Sequence, residues 1–402
     1  MPDIELGSFS ILFLVHLKLK TSFMKPSPIL DFYKDRESQI LESIRELVEI
    51  ESPSFDVGQS IRVVDLLELA FLSTGADLAV ERISASGAGE HLLITAFKQD
   101  GPGVLFLGHT DTVHPIGTAM KNPTRIEGDK FYGCGIFDMK ANIVLMLEML
   151  RYFAESGIRP ASQIDIMLSC DEEVGSATGR PIIEAAAKNA SHCFVFEPSF
   201  EGKVKTGRKG TGIFTVKTHG LPAHAGLEPE KGASAILEMS RQVEKIHLLN
   251  DQSNGTSVNV CTISGGTTTN VIPEYAQASV HVRFTKGSEA DRVAKALAEL
   301  TPFDPRISVE LLGGVNRPPM ERSPEVAALY ERARIMASTF DYELGETQVG
   351  GASDGNFVAA LGVPVLDGLG IAGDGAHTLH EHILVSDIAK RATLVTLLML
   401  AD

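Results

Sequence analysis

The segment Val104-Leu105-Phe106-Leu107-Gly108-His109-Thr110-Asp111 decides the fold, because it joins a short apolar run to residues that can bind a metal. A run of four apolar residues is consistent with a fully buried strand. The pattern recurs twice, with the mainly apolar strand-like run 164–169 before Asp171-Glu172-Glu173 and the apolar run 193–196 before Glu197. In open α/β sheets, ligands bind beyond the carboxyl ends of the strands, so these polar groups are expected at such a site.

Helical patterns alternate with these strands, which indicates an α/β sheet with helices on its faces. The predicted helices are 60–72, 140–153 and 180–188. After Arg208 the pattern changes to strands and helices of a compact α+β insertion. The predicted fold class is α/β, with a central mixed sheet flanked by helices and a smaller inserted α+β domain.

The predicted domain boundaries follow these changes of pattern. Residues 24–207 and 316–402 are predicted to form one discontinuous domain that carries the candidate metal ligands, and residues 208–315 are predicted to form the inserted domain. Residues 1–23 are interpreted as an upstream extension, under the hypothesis that Met24 is the natural start. The apolar run 9–17 follows acidic residues, whereas a signal peptide begins with positive charge, and the run is shorter than the roughly 20 residues that span a bilayer.

The composition argues against several classes of partner. Lys and Arg total 36 against 52 Asp and Glu, which gives a net charge of −16. Such an acidic surface repels nucleic acid and anionic membranes. The cysteines are scattered without a Cys-x-x-Cys pair, which favours reduced thiols in the cytoplasm over disulfides or a thiolate zinc site. They are Cys134, Cys170, Cys193 and Cys261.

Each polar motif also has an ordinary structural explanation when it is taken alone. His109 could lie in a turn capped by Asp111, Asp138 could be the N-cap of the following helix, and the acidic residues 171–173 could form a solvated turn. Together, however, the motifs supply what water activation by paired cations needs. That set is neutral imidazoles, a bridging carboxylate and a free carboxylate as proton carrier. Asp111 would accept the second ring N–H of His109 and fix its tautomer.

In this order, the motifs resemble the dizinc carboxypeptidase and aminoacylase superfamily, which includes glutamate carboxypeptidase, succinyl-diaminopimelate desuccinylase, acetylornithine deacetylase and tripeptide aminopeptidase. The resemblance runs from about residue 38 to the C-terminus and is closest in overall pattern to glutamate carboxypeptidase. Residues 108–115, Gly-His-Thr-Asp-Thr-Val-His-Pro, match the family's first motif almost letter for letter. In residues 375–383, His377 fits the family pattern four residues before Glu381, with His380 and His382 as competing ligands.

The resemblance implies two zinc ions, with cobalt as an alternative, and a role for each residue. His109 and Glu197 would bind one ion, and His377 and Glu173 the other. Asp138 would bridge the two ions, and Glu172 would be the general base. The catalytic residues would thus be Glu172, Asp111 and His224, and the metal ligands His109, Asp138, Glu173, Glu197 and His377.

The resemblance also implies that the inserted domain is a lid that mediates a homodimer. His224, in the motif at 220–226, would reach the active site of the partner subunit and hydrogen-bond the developing oxyanion. Asn270 and Arg283 would hold the substrate carboxylate, which a planar guanidinium suits. The Gly-rich loop with Gly351 and Ser353 resembles the family's substrate loop. Cys134 and Ala141 depart from common family residues and would alter the pocket shape without changing the ligands.

Three functions are consistent with the sequence. The first is an amide hydrolase of the glutamate carboxypeptidase type, which releases a C-terminal, glutamate-like amino acid from an N-acyl or peptidyl substrate. The second is a deacylase of N-acyl amino acids, of the acetylornithine deacetylase or succinyl-diaminopimelate desuccinylase type. Ser353-Asp354-Gly355 is closer to the pattern of this second group. The third, a catalytically silent dimeric binding protein, is disfavoured by the complete ligand set and the intact Glu172.

Overall fold

The structure, a computed structural model, describes residues 26–401. Contacts between residues divide the chain into two compact units. The first comprises residues up to Thr206 with Arg322–Thr347 and Leu361 onward, and the second comprises Gly207–Glu321 with Gln348–Ala360. The predicted boundaries left 316–321 and 348–360 in the discontinuous domain, whereas the contacts group both segments with the inserted unit. The interpretation of 1–23 as an extension lies outside the described residues.

The first unit holds most of the helices and the central sheet. Its helices are α1 (Pro26–Asp35), α2 (Glu37–Glu49), α3 (Val57–Leu72), α4 (Thr118–Lys121), α5 (Ala141–Ser156), α6 (Arg180–Ala187), α9 (Pro324–Ser338) and α11 (Val385–Leu400). Its strands are β1 (Leu78–Ala85), β2 (Gly89–Ala96), β3 (Gly103–His109), β4 (Arg125–Glu127), β5 (Lys130–Tyr132), β6 (Ile164–Ser169), β7 (Ala190–Val195), β16 (Val365–Leu366), β17 (Gly373–Asp374) and β18 (His382–Leu384). Strands β8 (Val204–Arg208) and β15 (Glu346–Val349) pair with each other.

A six-stranded mixed sheet with the strand order β1-β2-β6-β3-β7-β16 forms the centre of the first unit. β3 pairs in parallel with β6 and β7, whereas β2 is antiparallel to both β1 and β6. Every residue of β3 is buried, as expected for a strand covered on both faces. The predicted α/β fold class with a mixed central sheet is confirmed.

The register of this sheet brings the polar motifs to one edge. His109, the last residue of β3, lies opposite Ser169, the last residue of β6. Leu107 lies opposite Val195, where β7 ends. Because the three strands are parallel, the residues that follow them emerge at the same side of the sheet.

Apolar packing fixes the sheet between helices. Helix α5 is buried along most of its length, and Ile143, Leu147 and Leu150 belong to the main core cluster. Helix α1, which the sequence pattern did not predict, packs against α11. There the buried hydroxyls of Tyr33 and Thr396 share a hydrogen bond.

A smaller sheet, β17-β18-β5-β4, holds the last ligand segment of the first unit. His377 and Glu381 lie between β17 and β18. Ile383 of β18 lies opposite Phe131 of β5, and the Gly133 N–H donates to the backbone oxygen of Glu381 at 3.3 Å. The segment after β5 and the segment before β18 are therefore held together.

The second unit is an α+β structure, as predicted from the change of pattern after Arg208. Its elements are β9 (Gly210–His219), β10 (Ala223–His224), α7 (Ala235–His247), β11 (Ser257–Gly265), β12 (Val271–Ile272), β13 (Tyr275–Phe284), α8 (Gly287–Ala298), β14 (Ser308–Arg317) and α10 (Gly355–Ala360). The four-stranded sheet has the order β11-β13-β9-β14. Burial alternates along β13, so one face of this sheet packs on the core with Met239 of α7 and Val293 of α8.

Among residues 26–401, no helix combines the length and apolar character that crossing a membrane requires.

Candidate metal centre

His109 is the buried centre of the site. Its Nε2 atom lies 3.1 Å from Asp138 Oδ1 and 3.6 Å from Glu197 Oε1. Its Nδ1 atom lies 2.9 Å from the backbone oxygen of Asp111. A carbonyl oxygen only accepts, so in the neutral ring Nδ1 carries the hydrogen and Nε2 keeps its lone pair. In the protonated ring Nε2 donates to Asp138, and loss of that proton leaves the tautomer that metal binding at Nε2 requires.

His377 approaches the same carboxylate from the other side. Its Nε2 atom lies 3.4 Å from Asp138 Oδ2 and 3.2 Å from Glu173 Oε2. Asp138 thus presents one oxygen to each imidazole, in the arrangement expected of a bridging ligand. His377 has a φ of 65°, a left-handed conformation that is uncommon for a residue with a Cβ and is concentrated at functional sites.

The donor set fits divalent metal ions. Ligand atoms of His109, Glu172 and Glu197 lie within 4.8 Å of one another, and so do those of His109, Asp138 and Glu173. Glu173 Oε1 is buried and has no hydrogen-bond partner within the described part of the chain. An unsatisfied buried oxygen is costly, and a cation would satisfy it. Imidazole nitrogen with carboxylate oxygen is the ligand chemistry that zinc binds.

Asp111 organises the site in a way that differs in detail from the sequence prediction. The closest acceptor of the His109 ring is the backbone oxygen of Asp111, whereas its carboxylate oxygen Oδ1 is 3.5 Å away. The carboxylate instead accepts the N–H groups of Glu172 and Glu173 at 3.1 and 3.2 Å and the Ser54 hydroxyl at 2.6 Å. Asp111 therefore fixes both the ring of His109 and the backbone of the acidic turn.

The third acid of the turn, Asp171, accepts hydrogen bonds from Thr178 and Gly179. Its carboxylate accepts the N–H and the hydroxyl of Thr178 at 2.7 and 2.8 Å. The Thr178 hydroxyl also lies 3.0 Å from His91 Nε2, and His91 Nδ1 accepts the backbone N–H of Cys170 at 3.2 Å. Burial lowers the pKa of His91, which keeps the ring neutral. This buried chain of hydrogen bonds anchors the turn that carries Glu172, and the sequence pattern gave no sign of it.

The charges of the site shift several pKa values. Burial would lower the pKa of His109, but hydrogen bonds to Asp111 and Asp138 more than offset it and hold the pKa well above its ordinary value. Hydrogen bonds to Asp138 and Glu173 raise the pKa of His377 to about 10. Burial raises the pKa of Glu173. For Asp138, hydrogen bonds to the two imidazoles overcome burial and lower the pKa.

Glu381 is a fully buried residue of the site to which the sequence analysis gave no role. Its carboxylate accepts backbone N–H groups of Gly135, Phe137 and Asp138 and lies within hydrogen-bond distance of His114. Its spacing from His377 was the one signal in the sequence. Of the competing histidines, His382 has other contacts, since its ring lies against Tyr132 and its Nδ1 contacts the His380 backbone oxygen at 2.8 Å.

The remaining candidate residues lie in the second unit, where they form two groups. His224 and Asn270 are neighbours, because β10 pairs with β12 and the Ala225 N–H donates to the Asn270 backbone oxygen. The exposed His224 ring accepts the N–H groups of Gly226 and Leu227 at Nδ1, which leaves Nε2 as the N–H donor.

The second group surrounds the Gly-rich loop. Arg283 donates to the Gly350 backbone oxygen at 3.2 Å, and Arg208 donates to the backbone oxygen of Gly351, also at 3.2 Å. Ser353 is buried, and its hydroxyl oxygen accepts the Gly355 N–H. Burial and the nearby charge of Arg317 lower the pKa of Arg283. Several guanidinium groups therefore face one loop.

Comparison with known proteins gives consistent matches. The family described as "Peptidase family M20/M25/M40" matches residues 105–401. Carboxypeptidase G2 of Pseudomonas sp. strain RS-16 is 28% identical over 91% of this chain and 90% of its own. Succinyl-diaminopimelate desuccinylase of Alkalilimnicola ehrlichii is 30% identical over 72% of this chain and 81% of its own. The crystal structure of aminopeptidase PepT from Bacillus cereus has a TM-score of 0.71 at 22% identity, with coverage of 91% and 98%. At that identity it supports the fold alone.

Proposed function

Since the chain belongs to the peptidase family M20/M25/M40 and is a metallopeptidase-type hydrolase, we propose that it releases a C-terminal, glutamate-like amino acid from an N-acyl or peptidyl substrate. The observation that carries the proposal is the position of Asp138, with one carboxylate oxygen facing His109 and the other facing His377. The similarity to carboxypeptidase G2 along nearly the whole chain supports a carboxypeptidase activity.

The proposed metals are two zinc ions, with cobalt as the alternative. His109 and Glu197 would hold one ion and His377 and Glu173 the other, with Asp138 between them; the distances among their ligand atoms support this division. When bound, two such ions polarise the scissile carbonyl group and lower the pKa of a shared water. The Asp111 backbone oxygen accepts from Nδ1 of His109, so the proton lost on metal binding leaves Nε2, which faces Asp138 and Glu197.

Glu172 is the proposed general base. One of its carboxylate oxygens lies within 4.8 Å of ligand atoms of His109 and Glu197, while its backbone is held by Asp111. It would take a proton from the attacking water and return it to the leaving amine. Asp111 would act through His109 and the acidic turn by keeping both in position.

Residues of the second unit are proposed to bind the substrate. His224, with an N–H donor at Nε2, would stabilise the negative charge that develops on the carbonyl oxygen. Arg283 and Asn270 would hold the substrate carboxylate, next to the loop that contains Gly351 and Ser353. Arg283 and Arg208 both donate to backbone oxygens of this loop, and positive charges gathered at one place attract an anion.

The second candidate is an N-acyl-amino-acid deacylase. The similarity to succinyl-diaminopimelate desuccinylases supports it, as does the segment Ser353-Asp354-Gly355. A substrate panel at matched concentrations separates the two functions. N-aroyl glutamates and glutamyl dipeptides test the first, and N-acetylornithine and N-succinyl-diaminopimelate test the second. Hydrolysis of the deacylase substrates alone would overturn the carboxypeptidase proposal, and metal-loaded protein inactive on every substrate would overturn both.

The second unit is proposed to form a homodimer. β11 is the outer strand of its sheet and exposes Ile263, while Leu237 and Leu248 are exposed on and after α7. An exposed edge strand with apolar side chains is a template for pairing with a second copy. We place the protein in the cytoplasm, because the buried thiols of Cys134, Cys170 and Cys193 are free, as a reducing compartment keeps them.

A mixing experiment tests whether His224 acts across the dimer. Subunits of Glu172→Ala and His224→Ala, each inactive alone, are unfolded, mixed in equal amounts and refolded together. If His224 serves the partner's site, half of the dimers contain one complete site, and about a quarter of the wild-type activity returns. No activity in a mixture that contains heterodimers would show that His224 works within its own subunit or not at all.

A further inference from the structure

Glu381 connects the chain segments that carry three of the proposed metal ligands. We propose that Glu381 is a positioning residue of the metal centre, which fixes Asp138 relative to His109 and His377 through hydrogen bonds to both neighbouring segments. The inference rests on the proposed function, because it assumes that these residues bind metal.

One oxygen of Glu381 holds the residue that lies between the imidazoles. Oε1 accepts the N–H of Phe137 and the N–H of Asp138, each at 2.9 Å. Both donors belong to the backbone, so they cannot rotate away as side-chain donors can. The direction of the Asp138 side chain therefore depends on where the Glu381 carboxylate lies.

The other oxygen extends the connection to the segment after His109. Oε2 accepts the Gly135 N–H at 2.7 Å and lies 2.8 Å from His114 Nε2. Since both oxygens already accept backbone N–H groups, the ring of His114 is the donor in this contact. His114 lies five residues after His109, and Glu381 lies four residues after His377.

The result is one buried carboxylate that connects three segments, one of which is its own. They are 109–114, 135–138 and 377–381. Glu381 is fully buried, where an ionic hydrogen bond is stronger than in water. Displacement of this side chain would move Asp138 relative to both imidazoles, so the ligands would no longer converge.

Glutamine at this position distinguishes positioning from simple space filling. A glutamine amide has almost the shape of the carboxylate, but one of its two ends is an NH2 group that cannot accept. In either orientation, this NH2 group would face N–H donors, either those of Phe137 and Asp138 or those of Gly135 and His114. The turn that carries Gly135 and Asp138 must then shift to move its N–H groups away from the NH2 group of the glutamine.

The test is zinc affinity, measured by competition with a chromophoric chelator on the full chain. In Glu381→Gln, zinc is expected to bind about 10- to 100-fold more weakly, the range typical for residues that orient metal ligands. The cobalt-loaded variant is expected to show a changed visible absorption spectrum, because the coordination geometry changes. Neither readout requires turnover.

Glu238 of the second unit provides a matched control. It is also a buried carboxylate that accepts backbone N–H groups, those of Phe303 and Asp304. Glu238→Gln is expected to lower thermal stability without a change in zinc affinity or in the cobalt spectrum. An equal loss of zinc affinity in this control would overturn the proposal, because the effect would then reflect general destabilisation.

His114 supplies an independent test from the other end of the connection. His114→Leu removes the donor to Glu381 and is expected to weaken zinc binding several-fold, while His114→Gln keeps an N–H donor and is expected to restore most of the affinity. This pair decides the question if Glu381→Gln does not fold. Equal affinity in His114→Leu and wild type would overturn the proposal.

The failure of the positioning role differs from the failure of the proposed function. If the wild-type protein binds zinc, and Glu381→Gln binds it with the same affinity and the same cobalt spectrum, only the role of Glu381 is overturned. Wild-type protein that takes up no zinc overturns the metal centre and the positioning role with it.

Discussion

Among single residues, the acidic pair Glu172 and Glu173 illustrates how neighbours can take different tasks. Their backbone N–H groups are both held by Asp111, yet Glu173 faces His377 while Glu172 shares its surroundings with His109 and Glu197. Adjacent side chains in a short turn point in different directions. Two consecutive residues can therefore serve as a proposed metal ligand and a proposed general base.

The pair yields a prediction for substitution. Glu172→Ala should retain both metals and lose about 10²- to 10⁴-fold in kcat, the contribution typical of a general base. Glu173→Ala should instead lose metal, because it removes the carboxylate that faces His377. Metal content by mass spectrometry and steady-state kinetics measure both effects. Near-normal turnover in Glu172→Ala would contradict its assigned role.

The pKa shifts predict that zinc binding releases protons. In metal-free protein the raised pKa values of His109 and His377, the latter about 10, keep both rings protonated at neutral pH. Zinc needs the lone pair of each Nε2, so protons must leave, and affinity must fall as the pH decreases. The lowered pKa of Asp138 means that this ligand contributes no proton.

Calorimetric titration with zinc in buffers of different ionisation enthalpy measures this release. The apparent binding enthalpy at pH 7 should depend on the buffer and yield more than one proton per chain. An enthalpy independent of the buffer would contradict the proposed ligation by these imidazoles.

At the scale of elements, the turn after β5 has no room for a side chain at Gly135. Gly135 has a φ of 72°, and a Cβ there would lie 2.4 Å from Thr112 Cγ2. Gly128 has a similar φ of 62°, but nothing lies within 4 Å of a Cβ added to it. The two glycines therefore have the same backbone requirement and different surroundings.

This contrast gives a matched pair of substitutions. Gly128→Ala should lower the free energy of unfolding by about 1–2 kcal/mol, the cost of a left-handed alanine. Gly135→Ala should lower it further and also weaken zinc binding, because the turn that carries Asp138 must move away from Thr112. Thermal unfolding and chelator competition measure the two effects. Equal stability and equal zinc affinity in both variants would contradict the prediction.

The sequence predicted the elements with strong patterns and missed those without them. The apolar runs before His109 and Glu197 identified β3 and β7, and the predicted helix 60–72 lies within α3. In contrast, β1 is an outer strand with mainly half-exposed residues, so its apolar pattern is weak. The short elements α10 and β16 lie in the Gly-rich stretch 350–375 and were not predicted. Elements this short depend on tertiary contacts and leave no periodic pattern in the sequence.

The same distinction applies to the site. Residues at strand ends, such as His109, could be found from the pattern before them. The role of Glu381 could not, because its partners Gly135 and Phe137 lie 246 and 244 residues away along the chain. Which distant backbone groups a buried carboxylate binds is decided by the fold and leaves no local pattern.

For the whole molecule, the proposed dimer makes β11 the decisive strand. Ile263→Lys places a charge on the exposed edge of β11, where Ile263 is 58% exposed, and a lysine on an edge strand opposes pairing. The variant should sediment as a monomer, with reduced activity if His224 serves the partner. Leu69→Lys, at a side chain 69% exposed on α3 of the first unit, is the control and should remain a dimer. Wild-type protein that sediments as a monomer would contradict the proposal.

The late position of β16 in the chain has a consequence for synthesis on the ribosome. β7 is complete at Val195, but its parallel neighbour β16 begins at Val365, after the whole inserted unit has been made. At about 5–20 residues per second, translation of the roughly 170 intervening residues takes roughly 10–30 s. Throughout that interval the edge of β7 that later pairs with β16, at Cys193 and Phe194, stays unpaired. The nascent chain therefore offers chaperones a transient binding target that the finished enzyme lacks.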